Sequence, residues 1–265
     1  MKSFLTLSLI AFCSYTITNA QSKSIALRVN YQFTHVDDTT QRDQPRTAMM
    51  YLYLGPNTSV YLRDAEEGSE FYFHKQDGGK DAEFNVLTRL DRVGSYIHNF
   101  DSKTSIFTER ILTKFYQIKE PLALIDWELH EEFKEVLGYS VQKATANVRG
   151  RKYTAWFCTD LPFRSGPWKL QGLPGLILEA SDEKQDIHFV LTKIEPWDKP
   201  EVKITVPKNL EMQSLNQTEY SKLYSGFIAN PAAFARAIFG ESARTGVAVG
   251  GSSKPAKTFN NPIER

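Results

Sequence analysis

Apolar and polar residues alternate strictly near the start of the chain. Ile25, Leu27, Val29, Tyr31 and Phe33 are separated by single residues that are polar or small. A period of two is typical of a strand that buries one face. We therefore expect this segment to open a β-rich domain.

Short runs rich in aromatic and aliphatic residues follow, separated by polar or glycine-containing turns. This spacing predicts a mainly β (α+β) fold with a single antiparallel, strongly curved sheet. The predicted strands are Met49–Leu54, Ser59–Leu62, Phe71–Phe73, Phe84–Leu87, Ser95–His98, Ser105–Thr108, Leu122–Leu129, Ala144–Val148, Thr154–Phe157, Gly175–Ala180 and Ile187–Leu191.

A helical period appears late, over Gln217–Phe227 and again over Pro231–Phe239. Asn216 or Thr218 can cap the first piece, and Gly240 ends the second. We expect this C-terminal helix to pack on one face of the sheet. Residues 242–265 contain much Gly, Ser, Ala and Lys, so we predict a mobile tail there and a single domain over residues 21–241.

The first twenty residues predict export. Lys2 precedes an apolar run over Phe4–Phe12, and a polar stretch closes at Ala20. This is the pattern of a secretory signal peptide, and its apolar run is too short for a spanning helix. We expect residues 1–20 to be removed, which places the mature protein in the periplasm or cell envelope.

Composition narrows the possible functions. The chain has a formal net charge of +1, which gives no electrostatic argument for nucleic acid. After cleavage Cys158 is the one remaining cysteine, so stability has to come from the core. No segment after Ala20 is apolar enough to cross a bilayer, and we predict neither a transmembrane segment nor a cofactor.

The most distinctive stretch has glycines on both sides of a Leu-Pro pair. Glycine permits backbone angles or close approaches that a side chain blocks, and Pro174 fixes its own φ. The segment therefore predicts a rigid turn into a buried strand, or alternatively a recognition loop with Trp168 at its tip. The turn residues are Gly166, Pro167, Gly172, Leu173, Pro174, Gly175, Leu176 and Ile177.

These residues resemble the signature of the GLPGLI family, together with Trp156 and the Gly166-Pro167-Trp168 turn upstream. The resemblance extends over nearly the whole mature chain. It implies an exported envelope protein of Bacteroidota whose biochemical role is unassigned.

Candidate chemistry is sparse. The five histidines show no metal-binding spacing, and Glu128, His130 and Glu132 fit the solvated face of a strand as well as a ligand set, so no metal is predicted. Cys158 follows Trp156-Phe157 and is expected to be a small buried residue, although it could pair with a distant histidine as a nucleophile.

The residues predicted to contact a ligand or partner are Trp168, Arg151 and Trp156. Arg151 belongs to an Arg-Gly-Arg sequence that fits either a guanidinium clamp for an anionic partner or a hairpin turn with two charged residues.

Two functional classes remain open. The first is a non-enzymatic binding or accessory protein that holds an apolar ligand, a peptide strand or an outer-membrane partner. The alternative is a periplasmic hydrolase that uses carboxylates of the 127–182 block, with Asp160 or Asp182 as base and Arg151 as anion stabiliser.

Overall fold

The computed structural model describes residues 27–63, 72–74, 82–85, 95–111, 114–197, 202–205, 212–230, 233–234, 236–237 and 260–264. The predicted signal peptide and residues 242–259 of the predicted tail lie outside these ranges.

The fold is mainly β, as predicted, and centres on one twelve-stranded sheet that does not close on itself. Its strand order is β15-β8-β7-β6-β3-β2-β1-β13-β12-β11-β10-β9. The strands are β1 (Leu27–His35), β2 (Arg46–Leu54), β3 (Thr58–Arg63), β4 (Tyr72–His74), β5 (Ala82–Asn85), β6 (Ser95–Asn99), β7 (Thr104–Ile111), β8 (Lys114–Pro121), β9 (Glu128–Val136), β10 (Tyr139–Val148), β11 (Arg151–Cys158), β12 (Leu176–Asp182), β13 (Ile187–Pro196), β14 (Val202–Thr205) and β15 (Met212–Leu215).

Two features depart from a single antiparallel sheet. Strand β15 joins β8 in the parallel direction at one edge. Strands β14, β5 and β4 form a separate three-stranded sheet, in which β14 and β5 are parallel. The other pairings of the large sheet are antiparallel.

The large sheet curves strongly, and Trp168 shows this. Strands β6 and β11 are six places apart, which would separate them by about 29 Å in a flat sheet. Yet the Trp168 carbonyl lies 3.2 Å from His98 Nε2 on β6, and its ring lies 5.9 Å from that of Tyr153 on β11. The sheet therefore bends around this residue.

The core occupies the concave side of the curved sheet. Tyr31, Tyr61, Tyr153 and Phe157 are at most 1% exposed there. Rings of neighbouring strands contact one another, including the stacked pair Phe33 and Phe189 at 5.0 Å. Burial of these aromatic side chains is the main stabilising contribution of the fold.

The prediction of a strand over Leu122–Leu129 is wrong. Strand β8, which the sequence did not reveal, ends at Pro121, and residues 122–127 form an irregular connection before β9 begins at Glu128. The Trp127 Nε1 group donates a hydrogen bond of 2.9 Å to the Gln171 carbonyl, so its ring contacts the loop that contains Gln171.

The helix α1 spans Gln217–Ala229, and of the two predicted caps, Asn216 and Thr218, the N-cap is Asn216. Asn216 and Glu219 form a capping box in which each side chain accepts from the other's backbone amide. Tyr220 packs against Phe107 of β7, so the helix lies on the sheet. Residues 233–234 and 236–237 are helical, and the rest of the second predicted piece lies outside the described ranges.

The end of the predicted mobile tail is held against the sheet. Within residues 260–264, called the strap below, Asn261 is 2% exposed. Its side-chain amide donates a hydrogen bond of 2.6 Å to the Val36 carbonyl, and its backbone carbonyl lies 2.8 Å from His35 Nε2. The prediction of mobility is therefore wrong for this segment, because buried polar partners on β1 and beyond bind it.

Candidate functional site

The loop between β11 and β12 fills the concave side of the sheet. Residues 165–171 are buried throughout. Backbone hydrogen bonds fix the loop at both ends. The Gly172 amide donates one of 3.1 Å to the Arg164 carbonyl, and the Ile177 amide donates one of 3.0 Å to the Ser165 carbonyl. The segment singled out in the sequence is thus a plug that occupies the interior.

Two glycines of the motif have the physical roles predicted for them. Gly172 adopts φ +98°, a conformation that side chains disfavour. At Gly175 a Cβ would lie 2.1 Å from the Cys158 carbonyl oxygen and 2.6 Å from its carbon. The turn therefore needs glycine once for its backbone angle and once for its approach to β11.

Trp168 lies inside the plug, and only 1% of it is exposed. Its φ is +56°, and its ring contacts Tyr153. A ligand at the protein surface does not reach this ring in the observed arrangement. The predicted binding role of Trp168 remains a prediction that requires the plug to move.

Beside Trp168, a buried lysine joins the plug to two other parts of the chain. Lys169 Nζ lies 2.6 Å from Glu264 Oε1 of the strap and 3.3 Å from Glu120 Oε1 of β8. Arg149 Nη2 also donates a hydrogen bond of 2.8 Å to Glu120 Oε2. The two cations lower the pKa of Glu120 against the opposing effect of its burial. These pairs fasten the plug between β8 and the strap.

A second buried carboxyl, that of Glu109, lies nearby and is hydrogen-bonded to a tyrosine. Glu109 is 3% exposed and accepts a hydrogen bond from the Tyr220 hydroxyl. Burial raises the pKa of Glu109 to about 7, although the tyrosine bond opposes that shift. Burial also lowers the pKa of His98 to about 4, which keeps it neutral at pH 7. These groups have unusual pKa values because they are desolvated.

Arg151 lies at the start of β11 in a buried ion pair. Its Nη1 donates a hydrogen bond of 2.7 Å to Asp182 Oδ2. Its Nη2 donates hydrogen bonds of 2.5 Å to Asn261 Oδ1 and to the Pro262 carbonyl. Arg149 and Gly150, at φ +49° and +79°, make the tight β10–β11 turn. The residue thus sits at a hairpin and holds the strap, while its predicted contact with an anionic partner remains a prediction.

Of the residues named for a hydrolase, Asp182 and Arg151 come together, but they form a buried structural ion pair. Asp182 Oδ1 accepts from the backbone amides of Asp186 and Ile187 at 2.7 and 2.9 Å, and Oδ2 accepts from Arg151. Asp160 follows the far end of β11, which is about 23 Å long. Asp182 therefore has both oxygens in use, and Asp160 lies remote from Arg151.

Trp156 alternates with the buried Ala155 and Phe157, so it points to the other face of the sheet. The Lys134 ammonium lies 4.5 Å from its ring centroid and 2.8 Å from both Glu179 oxygens. Trp156 is the one of the three predicted binding residues that is partly exposed. Its binding role also remains a prediction.

Strand β9 is one edge of the large sheet and β15 is the other, and the sequence patterns did not identify β9 as a site. Within the described residues β9 pairs with β10 alone. Leu129 is 51% exposed, Phe133 64% and Leu137 62%. An uncovered edge offers unpaired backbone groups to another strand, and here large apolar side chains lie beside them. The spacing of these three residues was visible in the sequence, but the position of β9 at the edge was not.

Other candidate groups give no reactive site. Cys158 is 0% exposed, as expected for a small buried residue. In the described part of the chain, no group of three or more His, Cys, Asp or Glu side chains could hold a metal ion. Among the same residues, no helix is both long and apolar enough to cross a membrane.

Comparisons with known proteins agree with a β fold and leave the activity open. The structures of PNGF-II in the P21 and C2 space groups each match with a TM-score of 0.50, at 12% and 11% identity. They cover 75% of this chain but 33% and 32% of PNGF-II, so this chain spans about a third of that protein's length. At such identity the likeness concerns the fold alone. No curated protein matches the chain.

Residues 148–179, from the β10–β11 turn through the plug into β12, match the model of a family described as "Protein of unknown function (Porph_ging)". The GLPGLI name is not confirmed by this match. What is shown is that the plug and its two flanking strands are similar to a family of unknown function.

Proposed function

We propose that this protein is an exported, non-enzymatic binding protein of the cell envelope that holds a polypeptide partner against strand β9. The observation that carries the proposal is the uncovered edge itself. Strand β9 has nine residues and large exposed apolar side chains at Leu129 and Phe133. Addition of a partner strand to such an edge is a general mode of peptide recognition.

The exposed apolar residues continue the core-facing side of the sheet. Leu129 pairs with Ala144 and Phe133 with Gln142, two β10 residues that lie two apart and so share a face. Ala144 is fully buried. The apolar face of the sheet therefore continues to its edge without a cover there.

Covering this edge with a partner strand is favourable because it removes apolar surface from water. Full burial of a phenylalanine side chain stabilises by about 1.5–3 kcal/mol, so covering the exposed 64% of Phe133 would contribute about 1–2 kcal/mol. Backbone hydrogen bonds to the partner strand would add to this.

The interior of the sheet is a poorer candidate for a ligand. Trp168, Leu170 and Leu173 of the plug already occupy it and are at most 1% exposed. An apolar ligand would have to displace the plug together with the ion pairs of Lys169. This argues for a polypeptide at the edge over a lipid in the concavity.

A hydrolytic function has less support, because Asp182 has both oxygens in use and Asp160 lies far from Arg151. Export rests on the predicted signal peptide. Amino-terminal sequencing of the protein from the envelope fraction of its own cells should begin at Gln21.

The binding proposal is tested by photo-crosslinking in the cells that make the protein. A photoreactive phenylalanine analogue replaces Phe133 in the full chain, and the control carries it at Val190, an exposed apolar position in the middle of the sheet. We expect a discrete protein adduct from position 133 and none from position 190. A Leu129→Lys substitution should reduce the adduct, since a lysine at a sheet edge opposes strand addition.

Equal adducts from the two positions, or none from position 133, would overturn the proposal. Circular dichroism of each variant checks that it folds. Both positions are exposed, so neither replacement is expected to disturb the core.

A further inference from the structure

We infer that the segment bound at β9 is an extended, positively charged strand of the partner, in which an apolar residue and a lysine or arginine stand two positions apart. This inference rests on the proposed function, because it gives the chemistry of the partner that the same edge accepts.

The face of β9 next to the incoming strand combines an aromatic ring with a carboxylate. Phe133 pairs with Gln142 and Glu135 with Ser140, so the two β9 residues lie on one face, two positions apart. Both are exposed. Cross-strand neighbours in a sheet interact directly, and opposite charges stabilise the pairing. An apolar residue beside Phe133 and a cation beside Glu135 therefore complement this face.

The surroundings of the edge carry excess negative charge. Asp126, Glu128, Glu131 and Glu135 are exposed, and within the described residues none of them has an ion-pair partner. The nearby Lys134 is bound to Glu179 at 2.8 Å. A basic segment would be attracted to this edge, and an acidic one would be repelled.

The same charges argue against a second copy of the chain as the occupant. Two β9 edges brought together would place several glutamates of one copy beside those of the other. Like charges opposite each other destabilise a strand pair. The acidic side chains thus block self-association at the edge while they favour a cationic partner.

A bulge limits how long the added strand can be. Three residues of β9, 130–132, stand opposite the single residue Lys143 of β10. Within this bulge the Gln142 side chain donates a hydrogen bond of 2.9 Å to the His130 carbonyl. The regular part, Phe133–Val136, pairs with Tyr139–Gln142. It is four residues long, about 13 Å, so we expect a short added strand.

Two synthetic peptides test the inference on the purified protein. Both have threonine at every position except a central valine and the residues two places before and after it, which are lysine in one peptide and glutamate in the other. Binding is followed by amide NMR at low ionic strength. We expect the lysine peptide to shift the amide resonances of Phe133–Val136 and to bind at least about tenfold more tightly than the glutamate peptide. The difference should shrink at high salt.

Charge reversal supplies matched protein variants. Glu135→Lys should abolish or reverse the preference for the lysine peptide. Glu183→Lys reverses an exposed carboxylate at the β12–β13 turn and should leave the preference unchanged.

The outcomes separate the two proposals. Equal binding of the peptides, an unchanged preference in Glu135→Lys, or no binding by either peptide would overturn the basic-strand inference. If crosslinking from position 133 persisted in that case, the proposed function would still stand. Loss of that crosslink would remove the proposed function itself.

Discussion

The close approach of Gly175 to β11 makes a quantitative prediction for Gly175→Ala. The new Cβ would lie 2.1 Å from the Cys158 carbonyl oxygen, whereas contacts under 3.0 Å essentially do not occur. The two strands would have to separate by about 1 Å in an interior that is packed like a crystal. Strand pairing of Cys158 with Leu176 opposes that shift.

Overpacking a core costs about 1–3 kcal/mol, and more where the clashing atom is backbone that cannot rotate away. We therefore expect Gly175→Ala to lower the free energy of unfolding by about 3 kcal/mol or more. For a chain of this size that corresponds to a melting temperature lower by about 6–12 °C. Thermal unfolding followed by circular dichroism, with urea unfolding as a second measure, gives both quantities.

Two other glycines provide controls for the substitution itself. At Gly172 and Gly138 φ is +98° and +85°, and an added Cβ meets nothing closer than 4.0 Å. Alanine at these positions should cost only the left-handed backbone conformation, about 1–2 kcal/mol. If Gly175→Ala were no more destabilising than Gly138→Ala, the argument from close approach would be refuted.

Three further predictions concern buried side chains. The folded-state pKa of Glu109, about 7, lies above its usual value of 4.5, so this group should contribute a loss of up to about 3 kcal/mol of stability as pH rises from 4.5 through 7. His35 and His98, whose pKa values burial lowers to about 4, act in the opposite direction over the same pH range. Urea unfolding of the wild type and of Glu109→Gln at several pH values should show this loss as the difference between the two proteins. Arg151→Met leaves Asp182 buried without its cation and should cost about 3–5 kcal/mol, whereas the exposed neighbour Lys152→Met should change stability by less than about 0.5 kcal/mol. Trp168→Ala should cost about 3–5 kcal/mol because the ring is buried, and a melting temperature equal to that of the wild type would contradict the observed packing.

Local patterns allowed much of the fold to be predicted. Alternation identified β1, the paired glycines identified the rigid turn, and Asn216 was one of the two residues predicted to cap α1. Strand β8 was missed because Lys, Gln and Glu interrupt its apolar residues, and the error at Leu122–Leu129 arose because Trp127 serves a loop contact.

The candidate site could not be predicted in the same way. That β9 is an edge depends on the order of twelve strands, which single-strand patterns do not encode. The sequence predicted a rigid turn or a recognition loop where the plug lies, since nothing local shows that Trp168 and Lys169 meet His98 and Glu120 from distant strands. The strap was hidden for a similar reason, because its composition is polar and its partners are far away in sequence.

The position of the strap also bears on when this protein can fold. Asn261 binds His35 across 226 residues of chain, and it is also a ligand of the Arg151 guanidinium. At a synthesis rate of about 5–20 residues per second, β1 leaves the ribosome roughly 10–45 s before the segment that completes its polar contacts. The Arg151 guanidinium of β11 receives its contact from Asn261 after a shorter interval, since 110 residues separate the two. The polar contacts of β1 are therefore completed only after residues 260–264 have been made, an order of events that is compatible with the proposed export.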